Sequence, residues 1–269
     1  MVNYASIARH IDKGLGKAAN KLGQPFNGYR IESGNSGDFP SGWTQISGDF
    51  SLFRRRITDA KLEMGMQKAT LWFNIIGNMS PYLLGDVFVQ NDPPYVPGVS
   101  YGAGATSIPG TAELNAMCLA WHAPVDKRIG ARIDRRVQIY RPSSAPGTTT
   151  DGGQSISYWK QTHDNDLPLI LTSGTYAFGS NGATASWVPA GISSQHRQSE
   201  VLFQPGVPGM IKPAKWFFYV PPLPGYTARE GDALIDENGA RYVVLSPYEQ
   251  QTGVVGNQFI CDRKISQPG

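Results

Sequence analysis

Two cysteines in 269 residues, Cys118 and Cys261, are too few for a disulfide framework. Each lies in an apolar run, so both are expected as buried free thiols, the alternative being a bridge closed in an oxidising medium. Charge of one sign is also missing. The chain has 24 basic and 21 acidic side chains, interspersed, for a net charge of +3, which excludes a general polyelectrolyte role on nucleic acid. No run of 18 apolar residues occurs, so no membrane-spanning helix and no membrane insertion are expected. Met1-Val2-Asn3-Tyr4 has neither a basic region nor an apolar run behind it, and no secretion signal is expected there.

Glycine and proline are abundant instead. With 31 and 20 copies they make up about a fifth of the chain, above the usual level and below that of disordered sequence. Loop-rich folded β-structure fits this composition. A repeat supports it. Trp72-Phe73 opens an apolar run, Gly85-Asp86 follows, and then Val87-Phe88-Val89. Trp216-Phe217 opens another, Gly231-Asp232 follows, and then Ala233-Leu234-Ile235. The two copies lie about 145 residues apart. Each is followed by one cysteine in an apolar run with a charged end, Lys127-Arg128 and Arg263-Lys264. The repeat spaces strands and turns but duplicates no reactive constellation. The expected fold is therefore mainly β, with β-barrel or β-sandwich modules, and the repeat points to two related ones. Gly85, Asp86, Gly231 and Asp232 are expected as structural turns, each Asp accepting one turn bond worth about 1 kcal/mol.

Four segments organise the chain. Residues 1–35 form an N-terminal helical arm, 36–140 a first β-module, 141–213 a loop-rich β insertion and 214–269 a small C-terminal β-barrel. In the arm, Ile7, Ile11, Leu15 and Leu22 share one face, with Arg9, Lys13, Lys17 and Lys21 opposite. Gly14 and Gly16 weaken that helix, so its apolar face is expected to dock on protein, the alternatives being a basic face on nucleic acid and a membrane-surface helix. Residues 33–50 read as turn chemistry, 51–68 as helix or strand, and 93–110 as a long Gly/Pro-rich loop. Ser143–Gly153 reads as a flexible stretch. At the C-terminal end, Asp236-Glu237-Asn238-Gly239 joins two strands, where Asn238-Gly239 would supply the positive φ of a tight hairpin.

No catalytic residue, cofactor or metal site is expected. Gly34-Asn35-Ser36-Gly37-Asp38 looks like the nucleophile loop of chymotrypsin-type proteases, yet only His10 lies upstream of it, so it reads as a turn. His163-Asp164-Asn165-Asp166 has metal-binding atoms but no second ligand cluster, and reads as a solvated loop. Pro221-Pro222-Leu223-Pro224 could serve as a polyproline ligand and reads more simply as an extended lead-in to the next strand. The basic clusters Arg54-Arg55-Arg56 and Arg132 to Arg136 read as ion-pairing groups.

The run Glu230-Gly231-Asp232-Ala233-Leu234-Ile235-Asp236-Glu237-Asn238-Gly239-Ala240-Arg241-Tyr242-Val243-Val244, with Phe259–Lys264 behind it, resembles the small β-barrel of head–tail joining proteins of tailed bacteriophages. The chain is more than twice the usual length of those proteins. The resemblance implies a non-enzymatic structural component of a phage particle, a connector, neck, collar or tail protein made in the host cytoplasm and located in the virion. It implies copies of the chain in a six- or twelve-fold ring, contacts with portal, connector, tail or collar proteins, and only incidental DNA contact in a lumen. Two other classes fit the residues less well: a β-sandwich module binding carbohydrate or a cell surface, such as a tail-tip adhesin, and a glycan or cell-wall hydrolase.

Overall fold

The structure is a computed structural model. It describes residues 24–56, 72–76, 82–90, 116–122, 128–151, 154–194, 215–248 and 255–264, together with Gly14, Lys17 and Lys21, which are helical and exposed. The Ile7, Ile11, Leu15 and Leu22 face and the 93–110 loop lie outside the described residues.

The protein is mainly β, with fourteen strands in the described residues. A closed six-stranded barrel is built from β1 (Gln24–Arg30), β2 (Thr44–Arg56), β3 (Trp72–Ile76), β6 (Arg128–Ile133), β5 (Ala116–His122) and β4 (Val87–Gln90), paired in that order around the ring. The remaining strands are β7 (Arg135–Asp151), β8 (Gln154–Thr172), β9 (Thr175–Phe178), β10 (Trp187–Ser194), β11 (Lys215–Val220), β12 (Ala233–Asp236), β13 (Arg241–Tyr248) and β14 (Asn257–Lys264). They form one sheet, ordered β10-β11-β14-β13-β12-β7-β8-β9, and a further β10–β7 pairing closes six of them into a second ring.

The two rings agree register for register. Tyr29↔Val87 corresponds to Tyr140↔Ala233, and Phe26↔Phe50 to Val137↔Val188. Arg56↔Phe73 corresponds to Ser194↔Trp216, and Phe73↔Gly130 to Trp216↔Cys261. Cys118↔Ala131 corresponds to Val243↔Asp262, and both ladders then slip at the same place, between Leu119 and Trp121 and between Val244 and Ser246. One detail of the sequence repeat differs. Phe73, not Trp72, occupies the ladder position of Trp216, so the matching Trp-Phe pairs are offset by one residue while the Gly-Asp pairs are in step.

Strand pairing does not follow the four sequence segments. β1, from the stretch assigned to the arm, belongs to the first barrel, and β7 to β10 share a sheet with β11 to β14. Two stretches read as turns or loops are strands. Residues 44–50 belong to β2, and Ser143–Asp151 pairs with Gln154–Thr162 in a β-ribbon. The β-branched Thr148-Thr149-Thr150 favour the ribbon over the loop that Ser, Pro and Gly suggest.

Alternation explains why β4 and β5 look uniformly apolar. Phe88, Met117 and Leu119 join Phe26 and Ile75 in a cluster inside the first barrel. Their neighbours Val87, Val89, Ala116, Cys118 and Ala120 point the other way, into a larger core shared with Val137, Ile139, Phe218 and Tyr219 of the second ring. Each side of these strands therefore meets protein. A single residue, Asp134, separates β6 from β7. Its N–H donates to the Ala190 carbonyl at 3.1 Å, and its Oδ1 accepts from Ile192 N–H at 3.0 Å. The joint between barrels is thus tied to β10 on both sides.

Both cysteines are free and buried. Tyr219 donates its hydroxyl to the Val255 carbonyl at 2.8 Å and lies 3.3 Å from Cys118 Sγ. Burial pushes the Cys118 thiol up to about 12 and raises Cys261 as well, so neither forms thiolate near neutrality. Alkylation by iodoacetamide at pH 8 should therefore proceed only through unfolding. Its rate should rise with urea in parallel with loss of the Trp fluorescence signal; fast labelling in native buffer would contradict a buried pair.

Candidate functional site

The polar feature common to both barrels is the Gly-Asp turn. Gly85 and Gly231 have φ of 97° and 88°, a region a side chain disfavours. Gly85 N–H donates to the Leu119 carbonyl at 2.8 Å, and Gly231 N–H to the equivalent Val244 carbonyl at 2.9 Å. Leu119 N–H and Val244 N–H return the bond to the Asp86 and Asp232 carbonyls at 2.9 and 2.8 Å. A Cβ on Gly85 would come within 2.6 Å of Pro222 Cγ, so this turn also fits against the second ring.

Both carboxylates are almost wholly buried, at 1% exposure each. Asp86 accepts Arg30 Nε at 2.7 Å, Arg30 NH2 at 2.6 Å and the Leu83 N–H at 2.8 Å. Asp232 accepts Arg141 Nε at 2.8 Å, Arg141 NH2 at 2.9 Å and the Arg229 N–H at 3.0 Å, with the Tyr226 hydroxyl at 3.2 Å. Arg30 ends β1 and Arg141 follows the equivalent Tyr on β7, so the two forks are duplicates in space. Bidentate geometry holds each guanidinium in the plane of its carboxylate. The Asp86 partnership raises the Arg30 pKa above its ordinary value. In the second copy Arg141 also stacks over the Phe178 ring at 4.1 Å and donates to the Thr227 carbonyl. The arginines are not legible from local sequence because they lie 56 and 91 residues from their aspartates. A Tyr-Arg pair in the first strand of each copy, Tyr29-Arg30 and Tyr140-Arg141, was the available signal.

Asp236 organises the β12–β13 turn. Its Oδ1 accepts from Asn238 N–H and Ala240 N–H at 3.0 and 2.8 Å, while Oδ2 accepts Arg135 NH1 at 2.8 Å. Gly239 carries the positive φ, 74°, and Asn238 does not, so the turn is type I followed by a glycine bulge and not the doubly positive type that Asn-Gly suggests. Arg136 pairs with Glu237 at 2.5 Å and Arg132 with Asp134 at 3.2 Å. Asp166 pairs with Arg241. Among the described residues no cluster of His, Cys, Asp or Glu could hold a metal. The Arg54-Arg55-Arg56 backbone lies on β2.

The protease-like Gly34–Asp38 loop has a structural task. Gly37 N–H donates to the Leu171 carbonyl, and Gly174 N–H to the Asn35 carbonyl. Ser173 N–H donates to Ser36 Oγ at 3.0 Å, and Trp187 N–H to Asp38 Oδ1 at 3.0 Å. The β1–β2 connection thus grips the β8–β9 hairpin and the start of β10. That hairpin turns on Ser173 and Gly174, both at positive φ. The Pro221–Pro224 run also lies between modules. Pro221 and Leu223 are buried, and the Pro224 carbonyl accepts from Tyr176 N–H at 2.7 Å, so the run does not present a free polyproline face.

Asp232→Ala strips four hydrogen bonds, not one turn bond, and leaves a half-buried guanidinium uncompensated. It should cost about 3 kcal/mol, and Asp86→Ala about the same, by urea denaturation; a loss below about 1 kcal/mol would assign the forks no structural weight. Asp134 supplies a pH test. Burial raises its pKa, opposed by Arg132 and the Ile192 N–H. With the folded value above the unfolded one, its contribution to stability is full below the unfolded pKa and is lost as pH rises through the folded pKa. Asp134→Asn should flatten the stability profile in that window, and carbon-detected NMR should place the Asp134 midpoint above the ordinary aspartate range.

Comparison of the chain with protein-family models, with curated proteins and with solved structures finds no match to any of them.

Proposed function

We propose that the protein is a structural component of a tailed-bacteriophage particle, a ring-forming head–tail connector, collar or tail protein with no catalytic role. The observation that carries this reading is the Glu230–Val244 hairpin. Its Gly-Asp turn, β12, Asp236–Gly239 turn and Arg241-Tyr242 strand combine the features resembling head–tail joining proteins within one closed ring of strands. The matching register of the first barrel supports a duplicated module, which accounts for a chain more than twice the length of those proteins. Two barrels fused through one core form a rigid block suited to lateral contacts around a symmetry axis. In this reading residues 1–23 are a helical arm that grips a neighbour through Ile7, Ile11, Leu15 and Leu22, and the Gly/Pro-rich loops contact portal, connector, tail or collar proteins. The copies close a six- or twelve-fold ring in the virion.

Particles made from the genome that encodes the chain provide the test. Quantitative mass spectrometry should find the protein in purified virions in multiple copies, and gold-labelled antibody should mark the neck or tail. Absence from the particle, or one copy per particle, would overturn the reading. Ile11→Asp should block incorporation while the β-body keeps its thermal transition. If Lys13→Glu with Lys17→Glu is more damaging, in a salt-dependent manner, the arm serves nucleic acid instead.

A further inference from the structure

Among the described residues, the second ring carries elements that the first lacks. Where β1 and β2 are joined by residues 31–43, the equivalent strands β7 and β10 are joined by a ribbon and the β9 hairpin. Beyond Arg141, β7 pairs only with β8, from Ser143↔Thr162 to Asp151↔Gln154. The pairings of β7 with β10 and β12 end at Gln138 and Tyr140, and β9 meets β8 only from Leu169 onward. Among the described residues, no other strand lies beside either edge of the ribbon. Nine residues of β7 extend it by roughly 30 Å. An isolated two-stranded ribbon is marginal in water, and its two outer rows of N–H and C=O groups are templates for further strands.

We propose that this ribbon pairs edge to edge with the ribbon of a second copy of the chain, β8 of one copy against β7 of the next. The proposal rests on the ring-forming reading above and names the surface that closes the ring. Three observations select the same chain as occupant. The ribbon has two unlike edges, and head-to-tail addition of identical ribbons satisfies both at once, antiparallel throughout, whereas a single foreign strand covers one. The ribbon is continuous with the inter-barrel contact, because the β8 end that it leads into supplies the Leu171 carbonyl and the Ser173-Gly174 turn gripped by the 31–43 loop. Between Ser143 and Thr162 the only charges are Asp151 and Lys160, so identical ribbons do not repel and the segment offers no attraction to nucleic acid. Pro146 removes one N–H from β7, which costs one bond within the ribbon or along its edge.

The test uses the full chain. Residues 144–161 are replaced by a short Gly-Ser turn, and oligomer mass is followed by analytical ultracentrifugation, with the thermal transition as a check that the barrels remain folded. The wild-type chain should form concentration-dependent multiples of its 29.3 kDa monomer, and the ribbon-less chain should fall to its own, lighter monomer mass. Orientation is read from disulfides. Thr149 and Ile156 are register partners within one ribbon, so Thr149→Cys is placed in one chain and Ile156→Cys in an isotopically heavy one, the native thiols being buried. Mixed dimers should exceed like-with-like dimers by about tenfold, the ratio given by roughly 1.4 kcal/mol of preference for the head-to-tail pairing. Oligomers that survive deletion of the ribbon, or like-with-like disulfides in the majority, would overturn the edge-pairing proposal and leave the ring-forming reading intact. A chain that stays monomeric at every concentration would overturn the edge pairing, with presence in virions then deciding the structural reading by itself.

Discussion

The buried carboxylate of each Gly-Asp turn is the constraint around which each barrel closes. β4 must leave its turn in register with β1 on one side and β5 on the other, and Asp86 fixes both pairings. Its side chain holds Arg30 at the end of β1, while its backbone carbonyl bonds Leu119 on β5. Asp232 does the same between Arg141 on β7 and Val244 on β13. A carboxylate buried without partners would cost several kcal/mol, so the turn is stable only when the ring is closed and the arginine is in place. The fork therefore acts as a condition on closure as much as a source of stability. A one-residue slip of β4 would also move Phe88 out of the barrel and Val87 into it, so the apolar pattern and the fork specify one register together.

The same economy appears between the barrels. With one linking residue and a shared apolar core, the two rings have little freedom to move relative to each other. The contacts across the joint are of two kinds. Apolar faces of β4, β5 and β6 meet β7 and β11, which is non-directional, and hydrogen bonds between the 31–43 loop and the backbone of Leu171, Ser173, Gly174 and Trp187 fix the orientation. Tyr219 joins both, with its ring in the core and its hydroxyl on Val255, whose N–H donates to Ala120 of the first barrel.

Much of this was legible in the chain, but unevenly. Gly85-Asp86 and Gly231-Asp232 stand out because a glycine at positive φ and a turn-capping Asp are local needs met by adjacent residues. The strands β4, β5, β11, β12 and β13 stand out through apolar runs. The partner arginines did not, since closure of a barrel brings together residues distant in sequence. The ribbon was hidden for a different reason: Ser, Pro and Gly dominate its first strand, and only long-range register shows Thr148↔Ser157 and Thr149↔Ile156 as ladder pairs. Composition alone cannot separate a loop from a solvated strand pair. The Trp-Phe match was misleading in detail, because an apolar run carries aromatic residues at several positions and the ladder, not the residue type, sets the correspondence.

Comparing the two barrels shows where the copies have been free to diverge. The Gly-Asp turns, the fork arginines, the preceding tyrosines and the bulge on β5 and β13 coincide, and all belong to ring closure. The residues before each Asp do not: Leu83 and Leu84 are exposed in the first copy, where the second has Arg229 and Glu230. Among the described connections, the one after the first strand also differs, thirteen residues in one barrel and a ribbon plus hairpin in the other. In the first barrel that connection is already occupied, seated on the second. Its counterpart supplies the receiving hairpin and then extends beyond the body. A module that has used its connection inward can be short there; among the described residues no third barrel meets the second, and there an added element has room for a further contact.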